Sequence, residues 1–457
     1  MLDFPDFEGS GAEAKLNDLK RLADPALGAT QYTDEHWAAR FHSVLLNSYL
    51  AAQDNSRWSK DENLRRCRDD EMQLPLALAA IFDLASNIEY CRGRVVSANW
   101  IYCNRDDRPE RRAYYSFLKQ CPQCCLDRGL ERRISGAQHK PSSHHIGEIT
   151  TTMTTLMLRL FAAAAPEPLV VAAILKQSHD VDAIAWDKDS LVLFEIKSSP
   201  MVTFPLVTTL DLPLTRETSA GVEEYGQHSL VDIPLDNRQV ALSVPHRDLL
   251  MDLGSPEGPP WPYPQATALF TDEAVWLDYF SAWLELFYAY SIPKRLRTGR
   301  EKVLPYLVNG WGDEIDSNKT KPGLGRTDDL KKGTYQLLKF GAYYRDDAKP
   351  PTVRSALVAN LDPLFLREEY LDKLEKVRWS DESNFVLTGS NYQIAEDRLH
   401  YLYEAIMALN RSVLNDPYLA TLFDFGNLQE ALSAGTLGTM LARWALGGVA
   451  PDAGAES

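Results

Sequence analysis

Apolar and polar positions alternate in blocks between residues 181 and 197. Val181 to Trp186 is a short apolar run, Asp187-Lys188-Asp189-Ser190 a polar break built of turn-forming side chains, and Leu191 to Ile196 a second apolar run. The pattern predicts two adjacent strands joined by a turn. Upstream, Met153, Leu156 and Leu160 recur at helical spacing within Ile149 to Phe161, which predicts a helix that buries one face. Downstream, Arg326 to Tyr344 has amphipathic helical spacing with Thr327 or Asp328 available as a cap, and Val353 to Leu361 is a buried-strand pattern. Glu35 to Gln53, Leu74 to Tyr90 and the aromatic-rich Glu273 to Tyr290 add further helices. The Trp, Tyr and Phe spacing of the last is that of core packing, with a base-stacking platform as the alternative.

Charged groups sit where these strands end. Asp182 lies at the start of the first strand, and Glu195 and Lys197 at the end of the second. The two-residue side-chain period places Glu195 and Lys197 on one face. Two converging carboxylates make a hard, oxygen-lined Mg²⁺ site. A lysine beside them can orient or help deprotonate an attacking water and offset charge building on a phosphate. The plainer alternative is a solvated hairpin end.

Asp182, twelve intervening residues and Glu195-Ile196-Lys197 resemble the PD-(D/E)XK nuclease superfamily, with Glu195-Ile196-Lys197 as its E-x-K element. The resemblance implies an α/β (mixed α+β) fold, with a central mixed sheet flanked by helices, and metal-dependent phosphodiester cleavage. It also implies a metal-binding or metal-orienting acid on the preceding helix, where Glu148 stands; otherwise Glu148 is a first-turn acid favourable to the helix dipole. Asp180, two residues before Asp182, is a spare carboxylate on the same face. Tyr335-Gln336-Leu337-Leu338-Lys339-Phe340 resembles the glutamine-containing helix of nucleases of the RecB type. That likeness implies a supporting role for Gln336 near the metal or scissile phosphate, and phosphate contacts from Lys332 or Lys339; a surface helix is the alternative.

Six cysteines precede this core: Cys67, Cys91, Cys103, Cys121, Cys124 and Cys125. Cys121-Pro-Gln-Cys124 resembles a zinc knuckle, in which both sulfurs face one ion. Tetrahedral Zn²⁺ needs two more ligands, for which Cys103 is the first choice and His139 the second, with Cys91 and Cys125 in reserve. Redox pairing and simple buried thiols remain as alternatives.

The chain carries a net charge of −16, which argues against indiscriminate coating of DNA. Between Cys91 and His145 the balance reverses, with eleven Lys and Arg against five acids and with Tyr102, Tyr114, Tyr115 and Phe117 among them. Arg105, Arg108, Arg111, Arg112, Arg128, Arg132 and Arg133 are therefore the expected DNA contacts, held by a zinc-braced loop; a mixed, solvated face is the alternative. His144 and His145 read as packing or capping residues, or as a phosphate contact at a helix start.

With 457 residues, 45% apolar and 25% charged, the chain can bury a large core in two or three lobes. The expected division is a helical region 1–90, a zinc-binding basic segment 91–145, a catalytic core 146–375 interrupted by an insertion at about 200–325, and a helical region 376–457 with a disordered tail. No run of eighteen apolar residues and no signal-peptide start is evident, and the thiols fit a reducing compartment, so a cytoplasmic protein is expected. No phosphate-binding GxxxxGK[ST] loop is present, which excludes an ATP-driven motor of that type. The resemblance is strongest to a type II restriction endonuclease, acting on double-stranded DNA with Mg²⁺, leaving a 5′-phosphate and working as a homodimer. A structure-reading repair or phage-defence nuclease of the same fold and a non-catalytic zinc-dependent DNA-binding protein are the alternatives.

Overall fold

A computed structural model describes residues 4–6, 8–9, 11–23, 37–92, 100–105, 110–115, 121, 123–124, 127, 143–167, 169–174, 180–234, 239–245, 247–252, 261–302, 322–345, 352–380, 386–388, 391–393 and 399–434. The chain divides into two compact units. One comprises Met1–Tyr32, Thr150–Ser198 and Gly323–Ser457, the other Thr33–Ile149 and Ser199–Pro322.

The first unit is built on a six-stranded mixed sheet of an α/β protein, ordered Val413–Leu414, Ala405–Ala408, Thr352–Ala359, Ser190–Ile196, Ala183–Trp186, Val170–Ala173. The three middle-left strands run parallel and both flanks antiparallel. The strand Ser190–Ile196 is buried along its whole length, so its sequence is apolar on both faces, as central strands of covered sheets require. On one face Leu191, Leu193, Ile184, Trp186 and Leu357 pack with Leu330, Leu337 and Phe340 of the helix Thr327–Tyr344. Gly333 lets that helix approach closely: a Cβ there would stand 2.7 Å from Leu357 Cδ1. On the other face Phe194 meets Phe423 and Phe161, the latter from the helix Ser143–Ala164, meets Phe423 and Phe425, with ring centroids 5.1–6.2 Å apart. Helices thus cover both faces of the sheet.

The second unit holds a six-stranded antiparallel sheet, ordered Arg247–Asp252, Gln239–Val244, Leu206–Leu210, Arg111–Tyr115, Trp100–Cys103, Leu230–Val231. Beside it lie the helices Trp37–Ala51, Glu62–Asp69, Gln73–Cys91 and Glu273–Ser291, with Trp276, Phe280, Trp283 and Phe287 of the last stacked along its buried side. Those aromatics are core. Gln73–Cys91 is long and apolar enough to cross a membrane by length and composition, which the residue run did not reveal, yet it is almost wholly buried within its own unit. Its Asp83 is fully buried and accepts from the backbone N–H groups of Met201 and Val202 and from Trp283 Nε1, so its charge is met by three donors.

Three sequence expectations are corrected. Among its described residues the region after residue 376 is not mainly helical, because Ala405–Ala408 and Val413–Leu414 complete the mixed sheet; a four-residue apolar run has no period that separates strand from helix. The helix Thr327–Tyr344 takes Arg326 as its N-cap, with no side-chain cap, so Thr327 and Asp328 lie inside its first turn. Asp182 directly precedes the strand Ala183–Trp186, and Ser190 belongs to the next strand rather than to the turn.

Candidate functional site

The mixed sheet places the predicted charges at one end of one face. The ladder ends with Ala183 paired to Phe194, the Asp182 N–H donates to Phe194 O at 3.0 Å, and the Asp182 charge acts on the neighbouring Glu195. Positions 191, 193, 195 and 197 then form a stripe that begins apolar under the helix Thr327–Tyr344 and ends in Glu195 and Lys197. Asp182 Oδ2 accepts from the Ile196 N–H at 2.7 Å, Glu195 Oε1 accepts from Lys197 Nζ, and the Lys197 N–H donates to Val358 O at 2.8 Å. Side chain and backbone together hold the three groups at the carboxyl end of a central parallel strand. In open α/β sheets that end is the usual place for ligands.

Burial sets the electrostatics. It pushes the Asp182 carboxyl up, against the opposing pull of the Lys197 charge and the Ile196 N–H. Burial, then the Asp182 charge, pushes Glu195 up to about 7, with Lys197 opposing. For Lys197, burial pulls downward, but Glu195 and Asp182 outweigh it and keep the ammonium charged. Two crowded carboxylates and a lysine held as a cation form a site that gains from added positive charge. A Mg²⁺ ion fits this donor set, since Mg²⁺ is ordinarily held by one or two carboxylates together with waters and phosphate oxygens.

Asp329, in the first turn of the helix Thr327–Tyr344, is an acid that the sequence reading passed over. Burial raises its carboxyl, and both Arg326 and the Lys197 charge oppose that rise, which puts Asp329 in the electrostatic surroundings of Lys197. Its sequence signal was its position seven residues before Gln336, on the same helical face. Gln336 is half-buried, and its Oε1 is buried with no hydrogen-bond partner among the described residues. Lys339 pairs with Asp180 at 2.6 Å and Lys332 with Asp328 at 3.0 Å, so both expected phosphate contacts have carboxylate partners of their own. Glu148 belongs to the second unit, in the second rather than the first turn of the helix Ser143–Ala164, with its carboxylate 3.8 Å from His145 Nδ1.

The second unit carries a sulfur cluster. Cys103 ends an inner strand of the antiparallel sheet, and Cys121 and Cys124 bring their thiols to it; all three are buried, and their sulfurs lie within 4.8 Å of one another. Among the described residues this is the one group of three or more His, Cys, Asp or Glu whose donor atoms gather so closely. The Cys103 and Cys124 sulfurs are 3.9 Å apart, close to the ~3.8 Å edge of a tetrahedron with Zn–S bonds of about 2.3 Å. The trio can bind a metal ion such as zinc. Hydrogen bonds from Cys121 and Cys124 hold the Cys103 thiol down to about 3; the bond to Cys103 raises Cys124 to about 11, and burial pushes Cys121 well above its usual range. One thiolate is thus shared by three sulfurs. Cys91 is buried elsewhere, its thiol raised to about 12 by burial, and does not join the cluster. Cys125 and His139 lie outside the described residues.

Three of the arginines expected on DNA are ion-paired instead. Arg105 is buried against Asp127 at 2.5 Å, Arg111 meets Glu224 at 2.8 Å, and Arg112 meets Asp248 at 2.9 Å and Glu110 at 3.3 Å. Each guanidinium braces the antiparallel sheet or the knuckle, and in sequence Arg111 and Arg112 look like unspent positive charge because Glu224 and Asp248 come from distant segments. Arg108, Arg128, Arg132 and Arg133 lie outside the described residues. No known protein family, curated protein or solved structure matches the chain.

Proposed function

We propose that this chain is a Mg²⁺-dependent endonuclease that hydrolyses phosphodiester bonds in double-stranded DNA, acting in the cytoplasm as a homodimeric type II restriction enzyme. The observation that carries the reading is the convergence of Asp182, Glu195 and Lys197 at the end of one sheet face. Asp182 and Glu195 would hold the ion, which supplies a polarised phosphate and a more acidic water when bound. Lys197, kept charged by its two acidic neighbours, acts as a fixed cation for the phosphate and positions the water rather than removing its proton. Asp329 adds a further negative charge that favours the Lys197 ammonium, and Gln336 supplies an amide oxygen on the same helix. Zn²⁺ on the cysteine trio has a structural role, tying the knuckle to the antiparallel sheet.

Incubation with unmethylated phage DNA and Mg²⁺, followed by gel electrophoresis and end mapping, tests the reading. The expected result is a fixed ladder with 5′-phosphate ends that fades by roughly 10²–10³-fold in the Lys197→Ala variant. A smear would replace sequence recognition by structure recognition. Binding without any cutting would replace the nuclease by a zinc-dependent DNA-binding protein.

A further inference from the structure

We infer that His228 is the fourth ligand of the cysteine metal site, giving a Cys₃His centre made of Cys103, Cys121, Cys124 and His228; the inference rests on the reading that the trio holds zinc. His228 follows Gln227 in the turn that leads into the edge strand Leu230–Val231. That strand pairs in register with its neighbour, Trp100 with Val231 and Ile101 with Leu230. At Tyr102 the register breaks. The Tyr102 N–H donates to Ser229 O and the His228 N–H donates to Tyr102 O, both at 2.8 Å, so two residues face one. This is a β-bulge, with His228 in the left-handed region at φ 64°. A bulge of this kind re-aims a side chain, and a non-glycine residue takes that conformation only where its surroundings fix it.

The ring lies beside the cluster, where its charge acts on Cys103, although its nitrogens stand outside the 4.8 Å within which the three sulfurs gather, so ligation would draw the ring inward. His228 is buried, and its Nε2 lies 3.3 Å from Gln227 Nε2, which in turn lies 3.1 Å from Cys124 Sγ and 3.5 Å from Cys103 Sγ. An amide N–H can only donate, so Nε2 of His228 is the accepting, unprotonated nitrogen, the form in which imidazole binds metal, and its lone pair meets the Gln227 N–H, which an ion would replace. The Gln227 amide bridges ring and sulfur, and it donates to the sulfurs as a supporting partner of a zinc site does. Zn²⁺ in structural sites takes four ligands from Cys and His, and Cys₃His is among its standard sets. The consequence is architectural. The ion would join a strand at residue 103, a knuckle at 121–124 and a turn more than a hundred residues later, closing the unit that Thr33–Ile149 and Ser199–Pro322 build jointly.

The test measures zinc content and affinity of the full chain, and the absorption of its cobalt form, for the natural protein, His228→Ala, His228→Cys, His139→Ala and Cys125→Ser. The natural protein should hold one zinc. His228→Ala should bind it about 100-fold or more weakly, beyond the roughly 10–100-fold that losing a supporting partner costs. His139→Ala and Cys125→Ser should match the natural protein. His228→Cys should retain the ion and show a stronger thiolate-to-cobalt band, a readout that stands even if His228→Ala fails to fold. Natural affinity in His228→Ala, an unchanged cobalt spectrum in His228→Cys, or loss of zinc in His139→Ala or Cys125→Ser would overturn the assignment of His228 alone. A natural protein that takes up neither zinc nor cobalt would remove the zinc reading itself.

Discussion

The acid–lysine site and the sulfur cluster both crowd like groups into buried positions, and they relieve the crowding differently. Asp182 and Glu195 keep a lysine beside them, so their charge is partly met within the chain. The three cysteines share one negative charge chiefly by hydrogen bonding among sulfurs, with the nearby Arg105 charge, itself paired with Asp127, acting more weakly on Cys124. A carboxylate pair with a resident cation suits an ion that comes and goes with substrate, because the site is tolerable without it. A thiol trio wants a permanent dication, since metal binding and folding are coupled when ligands come from separate segments. Chemistry would then sit on the first site and architecture on the second.

The sharpest break in this contrast is Asp182→Ala, which should lower cleavage by roughly 10³-fold or more while leaving zinc content and the second unit's unfolding unchanged. Asp182→Asn, which keeps an acceptor for the Ile196 N–H, should lose as much activity with less effect on stability. Cleavage assays paired with calorimetry check both, and full activity in either variant would remove Asp182 from the site.

Cys121→Ser should do the reverse at the other site. Zinc content should fall and the unfolding midpoint should drop on the order of 10 °C, at about 2–4 °C per kcal/mol for a unit of this size. Metal analysis together with thermal unfolding reads this directly, and unchanged values of both would make the cysteines simple core residues.

Acidity separates the sites by a smaller effect. The folded-state value of Glu195 is about 7 against 4.5 ordinarily, so the folded chain holds this proton more tightly than the unfolded one. Its contribution to stability is therefore full below about pH 4.5 and is lost as the pH rises through 7. Without added Mg²⁺, Glu195→Gln should match the natural protein at pH 4 and exceed it at pH 8 by on the order of 1–3 kcal/mol in urea unfolding. Cleavage by the natural protein should rise with pH up to about 7, because the ion requires the ionised carboxylates. The smallest expected effect is that of Asp329→Asn, which removes one stabilising charge from Lys197 and should move the alkaline limb of the pH–rate profile to lower pH, with the maximal rate nearly unchanged.

The legibility of the two sites differs for a physical reason. Asp182, Glu195 and Lys197 lie on or directly beside two adjacent strands joined by a tight turn, where Asp187 Oδ1 accepts from the Asp189 and Ser190 N–H groups, so strand alternation predicts that Glu195 and Lys197 share a face. The helices Gln73–Cys91, Glu273–Ser291 and Thr327–Tyr344 were equally plain, because each repeats its apolar spacing over several turns. Cys121 and Cys124 announced themselves by spacing, and Cys103 was the reasonable third. His228 has no spacing relation to any cysteine; only a bulge in an edge strand brings it in. Arg111 and Arg112 misled because their neutralising partners Glu224 and Asp248 are 113 and 136 residues away. Ala405–Ala408 was too short to show a period.

Gly333 has a consequence for how the chain tolerates heat. Its missing side chain leaves the space that Leu357 fills, and Leu357 stands beside Glu195 in the parallel register. An alanine there must displace Leu357, loosening the floor under the acidic pair without touching any charged group. Gly333→Ala should therefore behave as a conditional allele, cutting DNA in the cold and failing a few degrees higher, and restored by a smaller residue at 357.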